Sequence, residues 1–112
     1  MPRWLGDVLR AIHGHARNSS VRLTYKALLV MAELDPALSP EDALDVLAGL
    51  TRSRFRYRVR SARPGEWLYV FRATWCGERI YLKLVLCADC TIVSFHKEDS
   101  DHELEEGEDS PG

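Results

Sequence analysis

Arg52-Ser53-Arg54-Phe55-Arg56-Tyr57-Arg58-Val59-Arg60 is the stretch at which the chain changes period. Before it, apolar residues recur at spacings of three and four, the repeat of a helix with one buried face. From Phe55 onward they alternate with polar ones, the repeat of a half-buried strand. A chain that is helical first and alternating second belongs to the α+β class, with its helices segregated to one face of an antiparallel sheet.

Working back from this boundary, Ala43, Leu44, Val46, Leu47 and Leu50 form one apolar helix face. Ser39 supplies its N-cap, Pro40 its first residue and Asp42 the return bond of a capping-box variant. Asp35-Pro36 stops a second helix, which runs to Leu34 from a cap at Thr24. Val21-Arg22-Leu23 reads as a short extended piece. Trp4, Leu5, Val8, Leu9 and Ile12 mark a first helix ending between Gly14 and Arg17.

Working forward, Arg63-Pro64-Gly65, Gly77-Glu78 and Ala88-Asp89 are turns between the alternating segments. The strands so delimited are Phe55 to Arg60, Trp67 to Trp75, Ile80 to Leu86 and Thr91 to His96. Short connections make them a meander, so a sheet of four strands or more is expected. Residues 1–97 read as a single domain. Residues 98–112 hold eight acids and no Lys or Arg, and an acidic disordered tail is expected there. Setting those eight aside leaves nine acids against 15 Lys and Arg, so the formal charge of −2 conceals a body of +6. A basic body suits an anionic partner, nucleic acid above all.

No apolar run approaches the roughly 20 residues of a membrane span. The start lacks the apolar core of a signal peptide, and three cysteines make a poor disulfide framework; a cytoplasmic protein is expected. Cys87-Ala88-Asp89-Cys90 has the spacing of half a zinc site. Cys76, however, sits at the other end of a strand, roughly 20 Å away by strand rise, too far for one ion to bridge. Ordinary turn cysteines are the simpler reading, and no metal or cofactor is expected. His13 and His15 read as surface or helix-end residues, and His102 belongs to the tail.

Because alternate side chains of a strand point to opposite faces, Arg54, Arg56, Arg58 and Arg60 are expected to form a cationic column while Phe55, Tyr57 and Val59 enter the core. Like charges in a column repel, so either solvent or a bound anion must compensate. A solvated outer face is one solution and phosphate binding by guanidinium forks is the other. The same rule sends Ile80, Leu82, Leu84, Leu86, Val93 and Phe95 to the core. Arg79, Tyr81, Lys83, Ser94 and His96 then face the other way. Cleavage of RNA by its own 2′-hydroxyl needs a base, an acid and cations, and this inventory holds all three.

Two blocks carry a family resemblance. Val21-Arg22-Leu23-Thr24, Ala27-Leu28-Leu29, Glu33-Leu34 and Leu47-Ala48-Gly49-Leu50 form the first. Ile80-Tyr81-Leu82-Lys83 followed by Thr91-Ile92-Val93-Ser94-Phe95 form the second. Together, over residues 21–97, they resemble the MqsR family of bacterial toxins, part of the RelE-like group of ribonucleases. The resemblance implies a RelE-like fold and a metal-independent mRNA endoribonuclease. It also implies silencing by a cognate antitoxin, of the zinc-containing, helix-turn-helix kind related to MqsA. Tyr81 matches the family's functional tyrosine. Tyr57 and Leu68 stand where the family has lysine and glutamine, and His96, followed by Lys97, stands where it has lysine. The expected catalytic set is therefore Tyr81, His96, Lys83, Arg56 and Arg58, with Arg54, Arg60, Arg72 and Lys97 binding RNA. The competing readings are a non-catalytic RNA- or protein-binding module built on the arginine-rich strand, and a degenerate toxin kept only for its antitoxin.

Overall fold

The structure, a computed structural model, describes residues 2–97; the expected acidic tail lies outside the described residues. The elements follow in the order α1 (Arg3–Arg17), β1 (Val21–Leu23), α2 (Tyr25–Glu33), α3 (Pro40–Ala48), a 3-10 turn (Arg52–Arg54), β2 (Phe55–Arg60), β3 (Trp67–Trp75), β4 (Glu78–Leu86) and β5 (Cys90–Lys97). Local chemistry explains where α2 and α3 start. Ser39 Oγ accepts from Asp42 N while the Asp42 carboxylate accepts from Ser39 N, a complete capping box behind Pro40. Thr24 Oγ1 accepts from Ala27 N and donates to the Val93 carbonyl, so one hydroxyl both caps α2 and ties it to β5.

The strands form one five-stranded sheet in the order β1-β5-β4-β3-β2. The four expected strands are its antiparallel meander. The extended piece Val21–Leu23 adds a fifth strand, parallel to β5, with Val21 opposite Cys90. One sheet face meets the helices. Leu5, Val8, Leu9, Ile12 and Ala16 of α1, with Ala27, Met31, Ala43 and Leu47, pack on Phe71, Ala73, Ile80, Leu82, Leu84, Cys90, Ile92 and Phe95. Each large side chain so buried is worth about 1.5–3 kcal/mol against exposure. The opposite face, the outer face, carries none of the helices among the described residues.

Two bulges interrupt the alternation. On β2, Phe55 pairs with Phe71 and Tyr57 with Val70, leaving Arg56 as the extra residue. On β5, Ser94 pairs with Lys83 and Ile92 with Leu84, leaving Val93 as the extra residue. A bulge shifts the in-out parity of its strand by one. Ile92 therefore enters the core in place of the expected Val93. On β2 the consequence is larger. Phe55 enters the core as expected, but Tyr57 and Val59, partnered with Val70 and Leu68, point to the outer face. Arg58 and Arg60, partnered with Tyr69 and Trp67, point to the helix side. The expected arginine column is thus not formed.

Candidate active site on the outer sheet face

Alternation along β4 and β5 sends Tyr81, Lys83, Ser94 and His96 outward, and the register brings them together. Arg72, Tyr81 and His96 lie in one cross-strand row over β3, β4 and β5, and Val70, Lys83 and Ser94 form the next. The guanidinium of Arg56, the extra residue of the β2 bulge, stands 5.5 Å from the centre of the Tyr81 ring. Thr74 and Arg79 make a further outward pair toward the strand ends. One patch thus gathers a phenol, an imidazole, a hydroxyl and several cations.

The patch is recessed: Tyr81 retains 6% of its surface, Lys83 8% and Ser94 2%. His96 is half-buried, and its Nε2 lies 3.2 Å from Ser94 Oγ. Burial of the imidazole, with the charges of Lys26 on α2 and Lys83 on β4, pushes its pKa below the ordinary histidine value. His96 is accordingly neutral near pH 7, with a ring nitrogen able to accept a proton. Low dielectric around the patch strengthens each of these charge interactions.

The remaining expected site residues lie elsewhere. The Arg58 guanidinium is stacked 3.9 Å from Trp4 of α1 and 3.8 Å from Trp67 of β3, and Arg60 stacks on Trp67 at 4.7 Å. Arg58 therefore staples the first helix to the sheet edge, and both arginines lie on the side away from Tyr81 and His96. Arg54 belongs to the 3-10 turn and lines a cleft of ≈ 300 Å³ beside Asp45 and Trp75 in the helical layer. Lys97 pairs with Ile80, on the helix-side parity at the end of β5. Sequence reasoning did not identify Lys26. Nothing local reveals that α2 comes to lie against β5, a contact made by tertiary packing and secured by Thr24.

The other candidate ligands have structural employment. His13 Nε2 donates to the Leu50 carbonyl at 2.8 Å, and His15 Nδ1 lies 2.9 Å from Ser20 Oγ. Cys87 Sγ donates to a Glu66 carboxylate oxygen at 3.0 Å, which raises the thiol's pKa. Cys90 is fully buried, and desolvation pushes its thiol up to about 12. Neither is poised as a thiolate.

Compared with known families, residues 8–97 match the family model described as the motility quorum-sensing regulator, toxin of MqsA. No curated protein matches the chain. The match spans α1 from Val8 through the whole of β5, and so covers both the helical layer and the outer-face row.

Proposed function

Because the chain belongs to the MqsR family, the toxins of toxin–antitoxin pairs, we propose that it is an endoribonuclease that cuts mRNA on its outer sheet face and is silenced by a cognate antitoxin of the MqsA kind. In this reading the neutral His96 imidazole removes the proton from a ribose 2′-hydroxyl. The resulting oxygen attacks the adjacent phosphorus, and the bond to the 5′-oxygen breaks. Tyr81 donates its phenolic proton to that leaving oxygen. The products are a 2′,3′-cyclic phosphate and a 5′-hydroxyl, and the proton held by His96 returns to Tyr81 through solvent.

Arg56 and Arg72 flank Tyr81 and hold the phosphate, while Lys83 adds positive charge beneath it. The observation that carries the proposal is the row Arg72–Tyr81–His96, one residue from each of three neighbouring strands. The competing binding-module reading depended on a single column of arginines, and the bulge at Arg56 divides that column between two faces.

The deciding experiment incubates the purified protein with a defined single-stranded RNA, with and without a metal chelator, and maps the ends. Chelator-resistant cuts bearing 2′,3′-cyclic phosphate are expected. They should disappear when the nucleotide preceding the cut carries a 2′-deoxyribose. Cleavage of that deoxy substrate at the same bond would overturn 2′-hydroxyl attack.

A further inference from the structure

Charge on the outer face is arranged by topology. Its outward rows are Val59, Leu68, Val85 and Thr91; Tyr57, Val70, Lys83 and Ser94; Arg72, Tyr81 and His96; and Thr74 with Arg79. None of these positions is a carboxylate, whereas Arg56, Arg72, Arg79 and Lys83 are all cationic and Lys26 adds its field at His96. The nine acids of residues 1–97 lie instead on helices, turns and strand ends. Immediately after Lys97, the last residue of β5, the chain supplies eight acids in 15 residues with no Lys or Arg among them.

We infer that the outer face is a docking surface for the chain's own acidic segment 98–112, whose carboxylates occupy the phosphate-holding side chains and compete with nucleic acid. The inference rests on reading that face as a phosphate site. Reach is ample. From β5 across β4 and β3 to β2 is three interstrand steps, roughly 14 Å at the usual strand spacing. An extended chain covers about 3.3–3.6 Å per residue, so four or five residues after Lys97 suffice, and Glu98, Asp99 and Asp101 fall within them. Carboxylates meet guanidinium groups with the same two-pronged geometry as phosphate oxygens. Tethering gives them an effective concentration on the order of millimolar, without the entropy cost of bringing in a separate partner. The contact is electrostatic, so salt weakens it once the Debye length falls below about 10 Å.

The test compares the full chain with two variants: one ending at Lys97, and one of full length in which the eight acids become Asn or Gln. The second keeps the test informative should truncation impair folding. The first readout is the His96 imidazole titration by NMR without nucleic acid. Docked carboxylates favour the imidazolium, so both variants should titrate at lower pH than the full chain, and the difference should close at high salt. The second is the affinity for a fluorescent single-stranded DNA oligonucleotide, which lacks the 2′-hydroxyl and cannot be cut by the proposed route. Both variants should bind it about tenfold tighter at low salt and equally at high salt. An unchanged His96 titration, or an unchanged oligonucleotide affinity, overturns the inference. Differences that vanish on dilution of the protein would assign the segment to a second copy and overturn it equally. A titration and affinity that respond to the segment in a protein that cuts no RNA would sink the nuclease reading and leave the docking in place.

Discussion

Replacing Arg58 by alanine tests which side of the sheet its guanidinium serves. As part of a cationic column it would contact RNA, and its loss would lower activity while sparing stability. As built, its guanidinium lies between the indoles of Trp4 and Trp67 at 3.9 and 3.8 Å, and Trp4 in turn meets Phe55 edge-on at 5.5 Å. Each cation–π contact at a half-buried position is worth about 0.5–1 kcal/mol, so Arg58→Ala should cost about 1–2 kcal/mol. For a domain of this size that corresponds to a fall of roughly 4–16 °C in the thermal midpoint. Arg58→Lys retains charge without a stacking plane and should fall in between. Arg56→Ala, which removes the cation over Tyr81, should show the reverse pattern, with little change in midpoint and a large loss of cleavage. Thermal unfolding by circular dichroism, paired with RNA cleavage well below every midpoint, reads both quantities. An Arg58→Ala protein with the parental midpoint and abolished cleavage would refute the reasoning, because it would put that guanidinium on the substrate side.

Three further outcomes are expected. Tyr81→Phe and His96→Gln should each lower the cleavage rate by about 10²–10⁴ with the fold retained, measured on purified protein and by relief of growth arrest; full activity in both would remove them from the chemistry. The acid limb of the pH–rate profile should lie below the ordinary histidine value of 6.5, because burial and then Lys26 and Lys83 oppose protonation of His96, and Lys26→Ala should move that limb upward. The same group makes the folded state resist a proton that the unfolded chain accepts, so stability should decline as pH falls from about 6.5 through the lowered value, as chemical denaturation at a series of pH values would show. Thr24→Val should cost about 1–2 kcal/mol by denaturant unfolding, since it removes both the cap on Ala27 N and the bond to the Val93 carbonyl; an unchanged midpoint would mean that β5 holds its bulge without the helix.

By itself the sequence determined the class of fold and much of the candidate face. The change of period at Phe55, the capping signals at Thr24 and Ser39, and the three turns were all legible, because each depends on contacts within a few residues. Strict alternation within β4 and the last residues of β5 sufficed to put Tyr81, Lys83, Ser94 and His96 on a common side.

Only the tertiary structure decided which arginines join them. An extra residue in a strand is a property of two strands paired in register, and Arg56 becomes one because Phe55 must sit against Phe71 while Tyr57 sits beside Val70. Nothing in Arg-Phe-Arg-Tyr-Arg-Val-Arg marks that slip, since every second residue there is the same. Nor could local pattern show Lys26 acting on His96, because that depends on how a helix settles across a sheet. Local periodicity assigns a side chain to one face or the other. Which neighbours it meets there is fixed by long-range pairing, where the burial of Phe55, Phe71, Ile92 and Phe95 outweighs the regularity of any single strand.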